Sequence, residues 1–417
     1  MGKTIFKNVN LVDGQRPAQP NSTIVIDGDR ISSVSTESSA VGKPGDRVLN
    51  LAGRTLMPGM VMCHLHATYE NVGGDSTPIG MDAPPALQAI RAAKNVDTLL
   101  MSGFTGAVGA SVAHDIDASL KLAIDDGLIT GPRLVPSSRD LITTADSNDL
   151  APWWWEAHQL GGVRICNGAD EFRLAVREEI KRGADVIKLY PTGGHGVKLP
   201  KETMSLTRDE MTAAVSAAHS LGKLVRGHIV SKEAILTCVG AGIDVIDHAD
   251  MMDAECIEAF LKSGAFVLPS LYLPLRIMEE AESKGESAFG WWGALKHDFD
   301  YTCSMLAEAS AAGVKLCVGD DFGTTVTPHG DYAKELEVYV RHAGITPLEV
   351  IKWATVHGAA MMGMSEDLGT IEQGKLADLL IVDGDPTLDI TVLQDQSRIT
   401  GIMKGGRFYK DALNESA

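Results

Sequence analysis

Residues 179–189, EIKRGADVIKL, pass from a charged helical stretch through one glycine into an apolar, β-branched strand. Glycine takes the left-handed position that ends a helix, and a strand buried on both faces reads as a continuous Val/Ile/Leu run. The same rhythm recurs in LLMSGFTGAV (99–108), AHSLGKLVRGH (218–228), CVGAGIDVIDH (238–248), FLKSGAFVLPS (260–270) and EASAAGVKLCVGD (308–320). TLMPGMVMCH (55–64) and GPRLVPSSR (131–139) bring the strand candidates to eight between about residues 55 and 321. Eight strand and helix units in one series predict an α/β fold, a closed (β/α)8 TIM barrel. An open doubly wound sheet would more naturally carry a glycine-rich phosphate loop after its first strand, and the sequence has none there.

The chain ends read differently. Residues 1–57 and 366–417 alternate short β-like runs with turns, as in TIVIDGDRISSVS and ADLLIVDGDP, and neither end could bury a core alone. They are expected to form together a small β-sandwich domain, discontinuous in sequence, beside a barrel domain spanning 58–365.

Composition narrows the partners. The 417 residues carry a formal net charge of -18, which argues against nucleic acid or an anionic membrane surface, where clustered Lys and Arg would be needed. No stretch reaches the ~18 apolar residues of a membrane span, and MGKTIFKNVNLVDG lacks the apolar centre of a signal peptide. A cytoplasmic, homo-oligomeric protein with a small-molecule partner is the expectation. The six cysteines are scattered without a CxxC pair and read as buried free thiols.

In a barrel, residues at the C-terminal ends of strands face one mouth. The first strand ends in His64 and His66, the fourth carries Lys188, the fifth His228, the sixth His248, and the eighth Asp320 and Asp321. His-Leu-His alone is a weak signal, since side chains two apart merely share a strand face. Four histidines and a carboxylate at matching strand ends are harder to explain without a metal, and neutral imidazole with carboxylate suits zinc and its first-row neighbours. Lys188 is the odd member, because a lysine at a buried strand end near a metal is destabilised as a cation.

This ensemble resembles the binuclear, imidazolonepropionase-like members of the amidohydrolase superfamily, which include metal-dependent dipeptidases and N-acyl or urea amidases. The matching pieces are LMPGMVMCHLH, GADVIKLYPTGG, GHIVSKEAI, GIDVIDHADMMD, CVGDDFG and DLGTIEQGKLADLLIVDGDP. The resemblance implies two divalent metal ions, zinc foremost with manganese, cobalt or iron as substitutes, and a carbon dioxide-derived carbamate on Lys188 bridging them. It implies His64 and His66 as ligands of the more buried metal and His228 and His248 as ligands of the more exposed one. It places the catalytic, metal-touching aspartate at Asp321, with Asp320 where the family has Ser or Thr, so a contribution from Asp320 stays open. The implied chemistry is hydrolysis of a C–N bond by a bridging hydroxide, with Asp321 taking its proton and passing it to the leaving nitrogen.

Substrate signals are thinner. Tyr190, two residues beyond Lys188 on the same strand face, and His195 are the first choices for substrate contacts, with Tyr69, Arg226, His329 and Arg139 behind them. Three stretches, roughly 140–168, 271–297 and 322–345, read as long loops, and two of them hold five of the six tryptophans, which suits an apolar pocket or a packing interface. N-acyl amino acids, dipeptides, anilides and phenylureas all fit. The rival readings are a one-metal deaminase, which Lys188 and the lack of an acid directly after His228 disfavour, a lactonase or phosphotriesterase-like hydrolase, and a non-catalytic scaffold, which would be expected to have lost ligands.

Overall fold

The computed structural model describes residues 2–36, 42–73, 78–155, 159–195, 197, 199–286 and 290–413. Strands and helices alternate along its middle: β1 (Met60–Leu65), α1 (Pro85–Met101), β2 (Phe104–Gly109), α2 (Ile116–Asp125), β3 (Ser137–Ile142), α3 (Ala169–Lys181), β4 (Val186–Leu189) and α4 (Arg208–His219). The series continues with β5 (Leu224–Ile229), α5 (Lys232–Ala241), β6 (Val245–His248), α6 (Ala254–Ser263), β7 (Phe266–Leu268), α7 (Tyr272–Ser283), α8 (Gly290–Ala312) and β8 (Lys315–Leu316). The helix-ending glycines of the rhythm, Gly103, Gly183, Gly222, Gly242, Gly264 and Gly313, all have φ between 68° and 107°, the region that a side chain disfavours.

Pairing is parallel throughout this series. β1 pairs with β2, and β2 with a short strand at Arg133–Val135 that continues through Pro136 into β3. From β3 the ladder runs through β4, β5, β6 and β7 to β8. One backbone hydrogen bond, from Cys63 N to Val318 O at 2.9 Å, joins the first strand to the end of the last. Val61, Val108, Val186, Val245, Leu268 and Cys317 come from six of the strands into a single apolar cluster, which a segment containing Met361 and Met362 covers. The broader core lies between the strands and the helices that follow them.

The two chain ends meet, as expected, but as one continuous hydrogen-bonded sheet of eight strands rather than two separately bonded layers. Its junction is Thr55–Pro58, which pairs parallel with Thr4–Leu11 and antiparallel with Leu379–Val382, and which runs through Gly59 directly into β1. Two of the three expected loops are also partly helical: 271–297 holds α7 and the start of α8, and 322–345 holds a helix at Lys334–Arg341. All six cysteines are buried and free. Among the described residues no helix is long and apolar enough to cross a membrane.

Candidate metal centre

His64 closes β1, His66 follows it, Lys188 lies on β4, His228 on β5, His248 ends β6 and Asp321 follows β8. All six line one cavity of about 240 Å³, together with Tyr69, Tyr190 and His195. Local backbone geometry brings them there. A register shift between Met62 and Leu65 lets β1 turn His64 toward the cavity although Val61 and Cys63 already belong to the inner apolar cluster. His248 would point away from its inward neighbour Asp247 in a regular strand, and its left-handed φ of 74° redirects it. Gly319 lets the end of β8 press against β1, because a Cβ there would lie 2.4 Å from His64 N.

The donor atoms converge at two points that share Asp321. His64 Nε2 and His66 Nε2 lie 3.1 Å apart, and Asp321 Oδ1 is 3.1 Å from the first and 3.0 Å from the second. His195, His248 and Asp321 form the other group, with ligand atoms all within 4.8 Å. His228 stands beside it, its ring centroid 4.5 Å from that of His248. Burial lowers the pKa of His66 to about 4, outweighing Asp321 nearby, and burial together with cationic neighbours drives His228 and His248 well below the ordinary value. Burial would raise Asp321, but contacts from His64 and His66 hold it well below the usual carboxylate range. At neutral pH His66, His228 and His248 are therefore neutral imidazoles, and Asp321 beside them is an anionic carboxylate.

This donor set fits a divalent cation. A proton is a poor occupant of the His64, His66 and Asp321 point when His66 titrates so low, and neutral imidazole with carboxylate is what zinc-like ions take. His248 Nδ1 and His195 Nε2 are buried without a hydrogen-bond partner among the described residues, which a ligand or a metal would correct.

Beneath these ligands lies a charged layer that sequence reading missed. Asp247, fully buried, accepts from Lys188 Nζ at 2.6 Å, from Arg226 Nη2 at 2.5 Å and from Arg226 Nε at 3.0 Å. Its Oδ1 also sits 3.3 Å from His64 Nδ1. When His64 offers Nε2 to a metal, Nδ1 carries the hydrogen and Asp247 can accept it, while Arg226 Nη2, 3.1 Å from the same nitrogen, is a donor that must turn aside. Burial would raise the Asp247 pKa, but Arg226 and Lys188 hold it well below the usual range. The signal for Asp247 was strand alternation: it stands two residues after inward-facing Val245.

Several expected substrate contacts are placed elsewhere. Arg226 is fully buried outside the cavity lining, with Nη1 directed to Cys63 O and Gly109 O and Nη2 also 3.1 Å from His64 Nδ1, so it supports the site from below. His329 does not line the cavity either: its Nε2 donates to Tyr69 O at 3.0 Å and its Nδ1 meets Tyr332 Oη at 2.8 Å. Arg139 is bound to Glu179, with Nη2 to Oε1 at 2.5 Å. Tyr69 stacks on His66 with ring centroids 3.9 Å apart, and Tyr190 on His228 at 4.2 Å. His195 stacks on His248 at 3.9 Å and places Nδ1 3.0 Å from Asp250; burial lowers its pKa, but Asp250 outweighs this and brings it to about 9.

Asp320 is no ligand in this arrangement. Its Oδ2 accepts from Tyr272 N at 2.6 Å and Leu273 N at 3.3 Å, and its Oδ1 from Asp321 N at 2.7 Å, so it ties the start of α7 to the end of β8. Burial and its neighbour Asp321 raise it to about 6. Trp153, Trp154, Trp155 and Trp292 do not line the cavity: the first three make one exposed turn, and Trp292 donates to Met278 O at 3.3 Å. The Trp291 side chain lies outside the described residues.

The donor set is one that could hold a metal ion. The chain belongs to the amidohydrolase family, whose profile matches residues 55–409, and at that level it is a hydrolase of C–N bonds. It is similar to an ochratoxinase from Aspergillus niger, 28% identical over 429 aligned residues that cover 96% of this chain and 85% of the relative. An imidazolonepropionase from Cutibacterium acnes is 25% identical, covering 94% of this chain and 91% of the relative. Among solved structures, a Xaa-Pro dipeptidase with bound methionine in the active site superposes with a TM-score of 0.85 at 29% identity, covering 98% of this chain and all of that one.

Proposed function

We propose that this protein hydrolyses the amide bond of a small, partly apolar N-acyl amino acid or dipeptide, at a binuclear site built on a (β/α)8 barrel of residues 58–365 beside a domain of residues 1–57 and 366–417. The similarity to a dipeptidase and the Cys63 to Val318 closure support this reading. The observation that carries it is the convergence of His64 Nε2, His66 Nε2 and Asp321 Oδ1 within 3.1 Å of one another on the floor of a cavity.

His64, His66 and Asp321 would hold one ion; His228 and His248 would hold the other, with Lys188 as its carbamate between them. Bound there, two divalent ions would polarise the substrate carbonyl and lower the pKa of water. Asp321, anionic at neutral pH, accepts the proton of the attacking water on a carboxylate oxygen and delivers it to the leaving nitrogen. His195, oriented by Asp250 through Nδ1, presents the unpartnered Nε2–H to the oxygen on which charge develops. Tyr69 and Tyr190 hold the His66 and His228 rings by stacking and present their edges to the substrate.

A hydrolysis screen of the metal-loaded protein across N-acyl amino acids, dipeptides, anilides and phenylureas tests the reading. Turnover of an amide that disappears on chelation is expected. Full metal content with no amide turned over, or lactone or phosphotriester turnover alone, would overturn it.

A further inference from the structure

The cavity at the histidine cluster, about 240 Å³, is smaller than the ~300–1,000 Å³ usual for a small-molecule site. A second cavity of about 260 Å³ adjoins it, and His195, Leu273 and Ile277 line both. Its other walls include Leu271, Pro274, Leu295 and Phe299. The polar groups within it are engaged with one another: Lys201 Nζ is 2.6 Å from Asp298 Oδ2, Asp250 pairs with His195, and Thr302 Oγ1 donates to backbone oxygens of Asp250 and Asp298. Apart from His195 Nε2, what is left to meet a ligand is apolar.

We propose that this second cavity is a subsite for a neutral apolar group, aryl or branched alkyl, of the same substrate whose amide carbonyl sits at the histidine cluster. This rests on the hydrolase reading for its chemistry, though not for its location. His195, Leu273 and Ile277 line both cavities, so a substrate anchored at the histidine cluster reaches the second by passing these side chains. A charged terminus would be desolvated among Leu271, Leu295 and Phe299 and would have to compete with the Lys201–Asp298 pair, which favours a neutral group at that end.

The test uses Leu295→Trp, which fills the subsite from a half-buried position without touching a metal ligand, and Phe299→Ala, which enlarges it. The probe is N-benzylacetamide, a neutral aryl amide, followed by ligand-observed NMR on metal-loaded and metal-stripped protein. Probe affinity should fall about tenfold in Leu295→Trp, and KM should rise about tenfold for an amide bearing a phenylalkyl acyl group while the acetyl counterpart keeps its KM and kcat. Phe299→Ala should shift preference toward the larger acyl group, which keeps the idea testable if Leu295→Trp folds poorly. Unchanged probe binding in both variants, or equal changes in KM for large and small acyl groups, would overturn the subsite. Probe binding lost in Leu295→Trp with no amide hydrolysed by the parent supports the subsite and overturns the hydrolase reading instead.

Discussion

Arg226 and Asp247 form a bidentate ion pair with no solvent exposure, Nη2 to Oδ1 at 2.5 Å and Nε to Oδ2 at 3.0 Å, directly beneath His64. Removing one partner leaves an uncompensated buried charge, which costs about 3–5 kcal/mol. Arg226→Met should therefore lower the melting temperature sharply in calorimetry. Arg226→Lys should recover only part of the loss, since an ammonium cannot reproduce the fork.

Asp247→Asn keeps the shape but weakens the hold on the His64 tautomer. Metal affinity is expected to drop about 10–100-fold, measured by competition with a chromogenic chelator. A matched loss of activity restored by excess metal would mark Asp247 as a positioning residue.

Lys188→Ala should lose most bound metal and activity, and a short carboxylic acid should restore part of both if a carbamate is the native ligand. Intact-mass analysis of the native holoprotein should show the mass of one added carbon dioxide, absent from this variant. Full activity without the lysine would remove it from the ligand set.

Asp321→Asn should fold, as calorimetry would show, and lose about 10²–10⁴-fold in kcat, because an amide cannot take the proton. Asp320→Asn should instead retain metal, since its carboxylate holds the backbone nitrogens of Tyr272 and Leu273.

Asp117 predicts a pH effect on stability far from the site. Burial raises its pKa to about 7 from an ordinary 3.8, although Ser137 N donates to it. The folded state then binds a proton that the unfolded chain has released, so stability falls as pH rises from about 4 to 7 and levels off above. Asp117→Asn should flatten that slope and raise the melting temperature at pH 8 more than at pH 4, read by denaturation at both pH values.

The strand series was legible because the helices end at glycines and most of the strands are apolar runs, two signals that are local in the chain; β3, SSRDLI, is the exception. His64, His66 and His248 were legible as strand-end residues for the same reason. Asp247 and the true place of Arg226 were not, because both sit inside apolar-looking strands and acquire partners only when β1, β4, β5 and β6 come side by side. Arg226 two residues before His228 shares its strand face, yet one step down the strand separates a cavity wall from a buried support. The tryptophans left a pocket and a packing face equally open, because aromatic content says nothing about which way a loop turns, and Trp153 is 87% exposed.

Thr55–Pro58 belongs to the sheet of the chain ends and continues into β1, and its antiparallel partner is Leu379–Val382. The strand that presents His64 is thus tethered by a segment that lies beyond the whole strand and helix series in the chain. Every residue proposed to hold a metal precedes that tether in the chain. A protein cut short before residue 379 would hold all six ligands and still lack the anchor for the first of them.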